Sequence, residues 1–251
     1  MFIHHEQTVR EAMAGVDLVY HQAASVSVSR SVEQPQESHE TNVSGTLTIL
    51  EPARREDARV VFASSAAIYG DPDSLPIAEE HPTSPQSPYG LEKLTGDRYL
   101  RLYNELYGLE TVPLRYFNVY GPRQTGGDYA GVITVFRNQA QAGEALTVHG
   151  DGTQTRDFVH VADIVQANLR AGTTDVVGVP FNIGTGECVS IRELAETVRE
   201  VADRSVEIVH QEPREGDIEE SEADISRARE TLGYKPTRSL QAGLATLFEA
   251  E

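Results

Sequence analysis

Short apolar runs alternate with helix-like segments along this chain of 251 residues, and this alternation constrains the fold more than any other feature. Alternating strands and helices are typical of βαβ units, whose strands lie parallel in one sheet. The clearest runs are VDLVYHQA (16–23), ARVVFASS (58–65), TVPLRYFNVYG (111–121) and VPFNIGTG (179–186). The pattern therefore predicts an α/β fold with a mainly parallel, doubly wound sheet.

Residues that favour helix ends support this interpretation. Pro88 suits the first turn of a helix over 88–107, and Gly108 suits the position just past its end. Ser190 and Glu193 have the spacing of a capping box, which predicts that a second helix begins there. The first of these helices connects two predicted strands, as a βαβ unit requires.

Two stretches fit the predicted sheet poorly and indicate a second, smaller lobe. We assign residues 1–120 and 156–185 to the sheet domain, and residues 121–155 and 186–251 to the lobe. Ligand sites of open α/β sheets lie just beyond the carboxyl ends of the strands, so we expect a functional cleft between the two parts.

The charge balance argues against one class of partner. The chain has 39 Asp and Glu residues against 21 Lys and Arg residues, and its formal net charge is −18. A chain this acidic repels phosphate backbones, so nucleic acid is not an expected partner. The only lysines are Lys93 and Lys235. Acidic, lysine-poor chains suit a high-salt cytoplasm, and an ordinary acidic composition in a GC-rich genome is the alternative.

Several absences point to a cytoplasmic protein without a membrane partner. No apolar run approaches the ~20 residues that cross a bilayer, and we see no secretory signal pattern. The single cysteine, Cys188, cannot form an internal disulfide and suits a reducing cytosol. His4 and His5 have no partner ligands at plausible spacing, so we expect no metal site.

Tyr89 and Lys93 form the sharpest chemical signal in the sequence. They lie four residues apart on the predicted helix and therefore share one face. A nearby ammonium favours the phenolate, so we expect Lys93 to lower the pKa of Tyr89 from about 10. Such a pair can act as general acid and base near neutral pH. A surface Tyr–Lys pair is the alternative, but the scarcity of lysine elsewhere favours a specific role for Lys93.

Ser64 and Ser65 close the predicted strand over 58–65, where ligand sites of such sheets are found. A hydroxyl at this place can bind a substrate hydroxyl and exchange protons with a neighbouring tyrosine. An ordinary serine-rich exit from a strand is the alternative interpretation.

The order of these motifs resembles that of a known family. FASSAAIYG, SPYGLEK and LRYFNVYGPRQ are similar to segments of the extended short-chain dehydrogenase/reductases. Within these enzymes the likeness is to the NAD-dependent epimerase/dehydratase family, and especially to nucleotide-sugar epimerases of the UDP-glucose 4-epimerase type. The resemblance extends over nearly the whole chain through HQAASVSVSRSV, TNVSGT, GDGTQTRDFVHVADI, FNIGTG and REGD. It implies a Rossmann-like NAD-binding domain and a smaller lobe that binds a nucleotide sugar.

The resemblance also implies roles for particular residues. Ser65, Tyr89 and Lys93 match the catalytic set of the family. The positions that match contacts to NAD are Ala23, Ala24, Asn42, Tyr89, Lys93 and Tyr116. The positions that match contacts to the substrate, a UDP-hexose by this resemblance, are Ser65, Asn118, Arg156, Arg214, Asp217 and Ser221.

Among the substrate positions, the two arginines match residues that grip the nucleotide diphosphate, for which the guanidinium fork is suited. A surface salt bridge is the alternative for each. Asp217 matches an acid that binds the ribose, and Ser221 matches a position that faces the 2-substituent of the sugar. A small residue such as serine there implies that N-acetyl sugars are accepted.

The implied reaction is epimerisation through a transient NAD-dependent oxidation at the sugar carbon. Related dehydratases carry an acidic pair directly after the catalytic hydroxyl residue, whereas Ala66 and Ala67 occupy those positions here. Eliminating water would then lack its proton donor, which favours epimerisation. Another sugar reductase or dehydratase of the same superfamily is the alternative.

Relatives of this kind begin with a strand and a glycine-rich GxxGxxG turn that holds the cofactor pyrophosphate. No such motif precedes GVDLVYHQAAS. We expect that about two βα units of a complete domain are missing, and that these 251 residues alone bind NAD weakly or not at all. Two classes of function follow: an active epimerase, or a cofactor-poor module that binds nucleotide sugar or pairs subunits without turnover. The resemblance further implies a homodimer, paired through helices such as 41–57 and 88–107.

Overall fold

The computed structural model describes residues 3, 5–124, 131–213 and 218–249. Its strands are, in chain order, β1 (Leu18–His21), β2 (Arg59–Ser65), β3 (Thr111–Tyr116), β4 (Asn118–Tyr120), β5 (Leu146–His149), β6 (Thr155–Arg156), β7 (Phe158–His160), β8 (Phe181–Ile183), β9 (Val189–Ser190) and β10 (Ile208–Gln211).

The helices are α1 (Glu6–Met13), α2 (Val28–Glu33), α3 (Pro35–His39), α4 (Gly45–Glu56), α5 (Pro88–Tyr107), α6 (Val132–Ala142), α7 (Val161–Ala171), α8 (Ile191–Val201), α9 (Ser226–Leu232) and α10 (Leu240–Glu249). A π-helical turn (Glu40–Ser44) leads into α4, and a 3₁₀ turn (Ala66–Ile68) follows β2. Over the described ranges, no helix combines the length and the apolar character needed to cross a membrane.

The main sheet has the strand order β1-β2-β3-β8, and all its pairs are parallel. Each of the four apolar runs identified in the sequence supplies one of these strands. The prediction of a parallel α/β sheet is therefore confirmed. In register, Ser64 lies beside Arg115 and Ser65 beside Tyr116, so the ends of β2 and β3 meet at one edge.

Helices cover both faces of this sheet because its strands are apolar on both sides. Val60 and Phe62 of β2 pack on one face with α1, α4 and α5. Val61 packs on the other face with α7 and α9. Successive side chains of β2 thus pack against helices on opposite faces of the sheet. This is the doubly wound arrangement that the sequence predicts.

A second core lies beyond the carboxyl edge of the sheet, built from α6, α8, α10 and β5. Its capping box at Ser190 and Glu193 is present, as predicted. Residues from Ala223 to Tyr234 instead pack with the core of the main sheet. The apolar side of α9 therefore faces β8.

Candidate active site

The first turn of α5 lies directly against the 3₁₀ turn that follows Ser65. A Cβ atom added to Gly90 would lie 2.6 Å from the carbonyl oxygen of Ala67, so only glycine permits this approach. The first turn of α5 is capped by Ser87, whose Oγ accepts a hydrogen bond from the N–H of Gly90 at 3.1 Å. This close packing places Tyr89 beside Ser65.

Tyr89 and Ser65 line the same cleft, and the Ser65 hydroxyl lies near enough to the phenol to influence its pKa. Burial raises the pKa of Tyr89 above its ordinary value; the Ser65 hydroxyl lowers it in part, and the nearby Glu92 carboxylate raises it further. This direction is opposite to the one expected from the sequence. The reason is geometric: the Lys93 ammonium lies 5.9 Å from the centroid of the Tyr89 ring, and desolvation of the phenol dominates.

Lys93 is a buried cation at the floor of this cleft. Its ammonium donates a hydrogen bond to the carbonyl of Ala63 at 2.8 Å and lies 5.1 Å from the centroid of the Phe62 ring. Burial lowers the pKa of Lys93 to about 8, while Glu92 opposes this shift. An ammonium has three donors. With the described residues it makes one hydrogen bond, so donors are left for a ligand.

Asn42 holds the turn after β1, in which Ala23 and Ala24 lie. Its side-chain oxygen accepts from the N–H of Ser25 at 2.8 Å, and its Nδ2 donates to the carbonyl of Ser25 at 2.9 Å. The same Nδ2 donates to Glu92 at 2.7 Å. Asn42 therefore ties this turn to α5.

Tyr116 ends β3 in a small polar cluster. Its hydroxyl accepts a hydrogen bond from Asn168 Nδ2 at 2.7 Å and from Gln22 Nε2 at 3.2 Å. Burial raises the pKa of Tyr116 to about 12, so the phenol stays protonated near neutral pH. The exposed Gln22 beside it has a side-chain amide that can also form hydrogen bonds with a ligand.

The cleft has a volume of about 760 Å³ and adjoins a second cavity of about 460 Å³. The two share Asn118, Val132, Val135 and Phe158 as lining residues, so they form one groove. Arg156 lines the far cavity, with one Nη donating to the carbonyl of Thr155 at 2.8 Å. One end of the groove thus carries hydroxyl groups and the other end carries a guanidinium.

Not every predicted site residue lies in this groove. Ser221 is buried, with 7 % of its surface exposed, and is absent from the lining residues of both cavities. Its side chain therefore neither faces solvent nor lines the described groove. The predicted positions Arg214 and Asp217, and also His4, lie outside the described residues.

A buried ion pair that the sequence did not predict lies beneath the site. Arg115 Nε donates to Asp97 Oδ2 at 2.9 Å, and Ser64 Oγ donates to the same oxygen at 3.1 Å. Arg115 also donates to the hydroxyl of Tyr69 at 2.8 Å. A signal for the pair existed: Arg115 is the one charge in an otherwise apolar strand, and such a charge requires a partner.

The donor and acceptor set at this edge fits a nicotinamide dinucleotide in its chemistry. NAD carries ribose hydroxyls and a carboxamide, and Lys93, Gln22 and Tyr116 offer an ammonium, an amide and a phenol around the cleft. A parallel sheet with Ser, Tyr and Lys side chains gathered beyond its strand ends defines an enzyme of the short-chain dehydrogenase/reductase class.

Comparison with known proteins gives the family within this class. The model of the NAD dependent epimerase/dehydratase family matches residues 3–184. The chain belongs to this family, whose cofactor is NAD.

Individual relatives agree with this assignment. A putative UDP-glucose 4-epimerase of Methanocaldococcus jannaschii is 44% identical over 233 residues, which are 91% of this chain and 75% of the relative. A UDP-glucuronic acid decarboxylase of Arabidopsis thaliana is 38% identical over 239 residues, covering 93% of this chain and 69% of the relative. The crystal structure of a Thermotoga maritima UDP-glucose 4-epimerase with UDP-glucose has a TM-score of 0.96 and 36% identity, covering 100% of this chain and 82% of that one.

Proposed function

We propose that this chain is a nucleotide-sugar 4-epimerase that acts on UDP-hexoses with NAD. The observation that carries the proposal is the groove, which has Ser65 and Tyr89 at one end and Arg156 at the other. Hydroxyl groups at one end suit a sugar, and a guanidinium at the other end suits a diphosphate. Relatives that are named UDP-glucose 4-epimerases support the same substrate class.

In this mechanism the chain supplies proton transfer and positioning. The Tyr89 oxygen takes the proton of the sugar hydroxyl and later returns it, acting as general base and then general acid. Ser65 holds the same hydroxyl. The Lys93 ammonium has donors left for a ligand, and it would favour the phenolate once burial of the phenol is offset by what binds in the cleft. NAD, when bound beside Tyr89, Lys93 and Tyr116, would supply the hydride chemistry at the sugar carbon. The groove must leave the sugar room to turn before its second face is reduced.

Epimerisation is favoured over elimination by the two residues after Ser65. Ala66 and Ala67 lie in the 3₁₀ turn directly after Ser65, and neither has a group that can protonate a leaving hydroxyl. A dehydratase needs such an acid beside its catalytic hydroxyl residue. The turn therefore leaves Tyr89 as the proton-transfer group that faces the sugar.

The remaining site assignments are part of this proposal. The residues proposed to contact NAD are Ala23, Ala24, Asn42, Tyr89, Lys93 and Tyr116. The residues proposed to contact the nucleotide sugar are Ser65, Asn118, Arg156, Arg214, Asp217 and Ser221. We assign NAD to residues 1–120 and 156–185 and the nucleotide sugar to residues 121–155 and 186–251.

The test measures interconversion of UDP-glucose and UDP-galactose by NMR, using the protein from its natural reading frame with any residues encoded before Met1. Tyr89→Phe is expected to abolish turnover but keep nucleotide-sugar binding in calorimetry. Release of CO₂ from UDP-glucuronate without epimerisation would replace the proposal with a decarboxylase. Binding without any turnover would favour the cofactor-poor module.

Acceptance of N-acetyl sugars is proposed from Ser221. Since this side chain is buried, Ser221→Tyr adds bulk that must displace its neighbours. The expected result is a selective loss of kcat/KM for the UDP-N-acetylhexoses relative to UDP-glucose. An unchanged ratio in a folded Ser221→Tyr protein would remove this assignment.

We also propose that the protein is a homodimer paired through α4 and α5. The outer side of α5 exposes Leu91, Leu102 and Leu106, a stripe that a second copy can cover. Sedimentation is expected to show a dimer that Leu102→Lys converts to a monomer. Leu169→Lys, on exposed α7, is the matched control and should leave the dimer intact. A dimer that survives Leu102→Lys would exclude this face.

A cytoplasmic, high-salt setting is proposed from composition, since the chain carries a net charge of −18. Screening of this self-repulsion is expected to raise the free energy of unfolding as KCl increases from about 0.2 to about 2 M. A flat or falling dependence would contradict the high-salt proposal.

A further inference from the structure

An arginine-lined cavity lies apart from the groove. It has a volume of about 670 Å³ and lies between α5, α9, the loop over 79–83 and the segment before β8. Among the described residues it shares no lining residue with the Tyr89 cleft. Its charged lining consists of Arg98, Arg101, Arg115, Arg227, Glu79 and Glu80.

Two of these arginines already have partners. Arg115 is paired with Asp97, and Arg227 contacts both Glu79 and Glu80. Arg227 thus offsets only one of the two carboxylates, but with Arg98 and Arg101 the lining still keeps a net positive charge.

The other two arginines, Arg98 and Arg101, make no ion pair or hydrogen bond with any described residue. The Nε of Arg101 is moreover shielded from solvent and has no hydrogen-bond partner. A shielded N–H without an acceptor is unfavourable, so this atom indicates that an acceptor is missing.

The identity of that acceptor follows from the charge. The chain has 39 acidic residues, yet none of the described ones serves these two guanidinium groups. A guanidinium binds carboxylate and phosphate through two parallel hydrogen bonds. Thr83 and Thr231 line the same cavity and add hydroxyl donors, which suit the many acceptor oxygens of a phosphate.

We propose that this cavity binds a phosphate-bearing anion, a phosphate monoester or diphosphate of a small molecule, between Arg98 and Arg101. The site is independent of the proposed epimerase activity because it lies outside the groove. Both arginines belong to α5, the helix that also carries Tyr89 and Lys93. An anion bound here therefore stabilises the helix on which the candidate active site depends.

The test titrates pyrophosphate and orthophosphate into the protein by calorimetry and by thermal unfolding, at an ionic strength held constant with KCl. Arg98→Gln/Arg101→Gln is the test variant. Arg54→Gln/Arg55→Gln on α4 is the control, with the same change of charge at arginines near Glu51. Arg156→Gln reports on phosphate bound in the groove.

The expected result is saturable binding that weakens at least about tenfold in Arg98→Gln/Arg101→Gln and persists in the α4 control and in Arg156→Gln. Binding of pyrophosphate but not orthophosphate assigns a diphosphate, and equal binding assigns a single phosphate group. Loss of binding in Arg156→Gln alone, equal loss in the α4 control, or no saturable binding overturns the proposal. If the double variant does not fold, Arg101→Lys, which keeps the charge but removes Nε, replaces it under the same criteria.

Discussion

The carboxylate of Asp97 accepts hydrogen bonds from Nε and Nη2 of Arg115, at 2.9 and 3.1 Å, and both side chains are almost fully buried. Asp97 lies one helical turn beyond Lys93 on α5. Arg115 immediately precedes Tyr116 on β3. This ion pair therefore ties α5 to the strand that carries the proposed nicotinamide contact.

Removing one member of the pair leaves a buried, uncompensated charge. Asp97→Asn keeps the shape but leaves Arg115 charged, so we expect the free energy of unfolding to fall by about 3–5 kcal/mol. Urea unfolding measures this change. Glu110→Gln, which breaks the ion pair of Arg59 with an exposed glutamate, is the control and should cost less than about 1 kcal/mol. Equal losses in the two variants would show that the Asp97 pair has no special role.

The parts of this structure that the sequence predicts well are those with local causes. The bounds of α5 follow from Pro88 in its first turn and from Gly108, whose φ of 72° only glycine adopts without strain. The four sheet strands follow from apolar runs long enough to be buried on both faces. The shared face of Tyr89 and Lys93 follows from helical spacing alone.

What the sequence could not predict depends on contacts between distant segments. The protonation of Tyr89 is decided by desolvation, which no spacing rule reports. The packing of residues 223–234 on the main sheet depends on which of the two hydrophobic cores the apolar side of α9 joins. The partner of Arg115 likewise cannot be predicted from the sequence. Asp97 looks like any other acid on an amphipathic helix, and it meets Arg115 only when α5 packs on the sheet.

Gly90 is expected to be essential for the close approach of α5 to the turn after Ser65. The Cβ of Gly90→Ala would lie 2.6 Å from a backbone oxygen that cannot move freely. We expect a loss of about 1–3 kcal/mol in the free energy of unfolding and a large loss of turnover, because Tyr89 is displaced.

The control for this change is Gly131→Ala, where an added Cβ meets no atom of the described residues within 4 Å and φ is −61°. Chemical denaturation of both variants checks the prediction. A Gly90→Ala protein as stable and as active as the parent would mean that the turn after Ser65 moves away from the added Cβ atom with no loss of folding free energy.

The buried imidazole of His21 predicts a loss of stability in acid. Burial, followed by the charge of Lys93, lowers the pKa of His21 to about 4 from 6.5. The unfolded chain therefore binds a proton between pH 6.5 and 4 that the folded chain does not, so stability falls as the pH falls through this window. The total is about 3 kcal/mol.

His21→Gln removes this titration and can still hydrogen-bond to Thr46. Its free energy of unfolding should depend less on pH between 6.5 and 4 than that of the parent, as urea unfolding at several pH values would show. Parallel pH dependences in the two proteins would contradict the lowered pKa.

Tyr89 is expected to be a neutral phenol in the ligand-free protein well above neutral pH. Its pKa is raised by burial, and the Glu92 carboxylate adds to the shift.

Rapid pH jumps followed at the phenolate absorption band, before the chain unfolds, measure this ionisation as the difference between the parent and Tyr89→Phe. We expect the difference to appear only above pH 10, and at a lower pH in Glu92→Gln, which removes the repelling charge. Tyr20→Phe, at an exposed tyrosine outside the cleft, is the control for removing one phenol elsewhere on the protein. A Tyr89 signal below pH 10 would restore the sequence-based expectation that Lys93 alone creates the phenolate. If Tyr89 titrates above pH 10, forming the base must depend on what binds in the cleft, so proton transfer begins only after cofactor and substrate have assembled there.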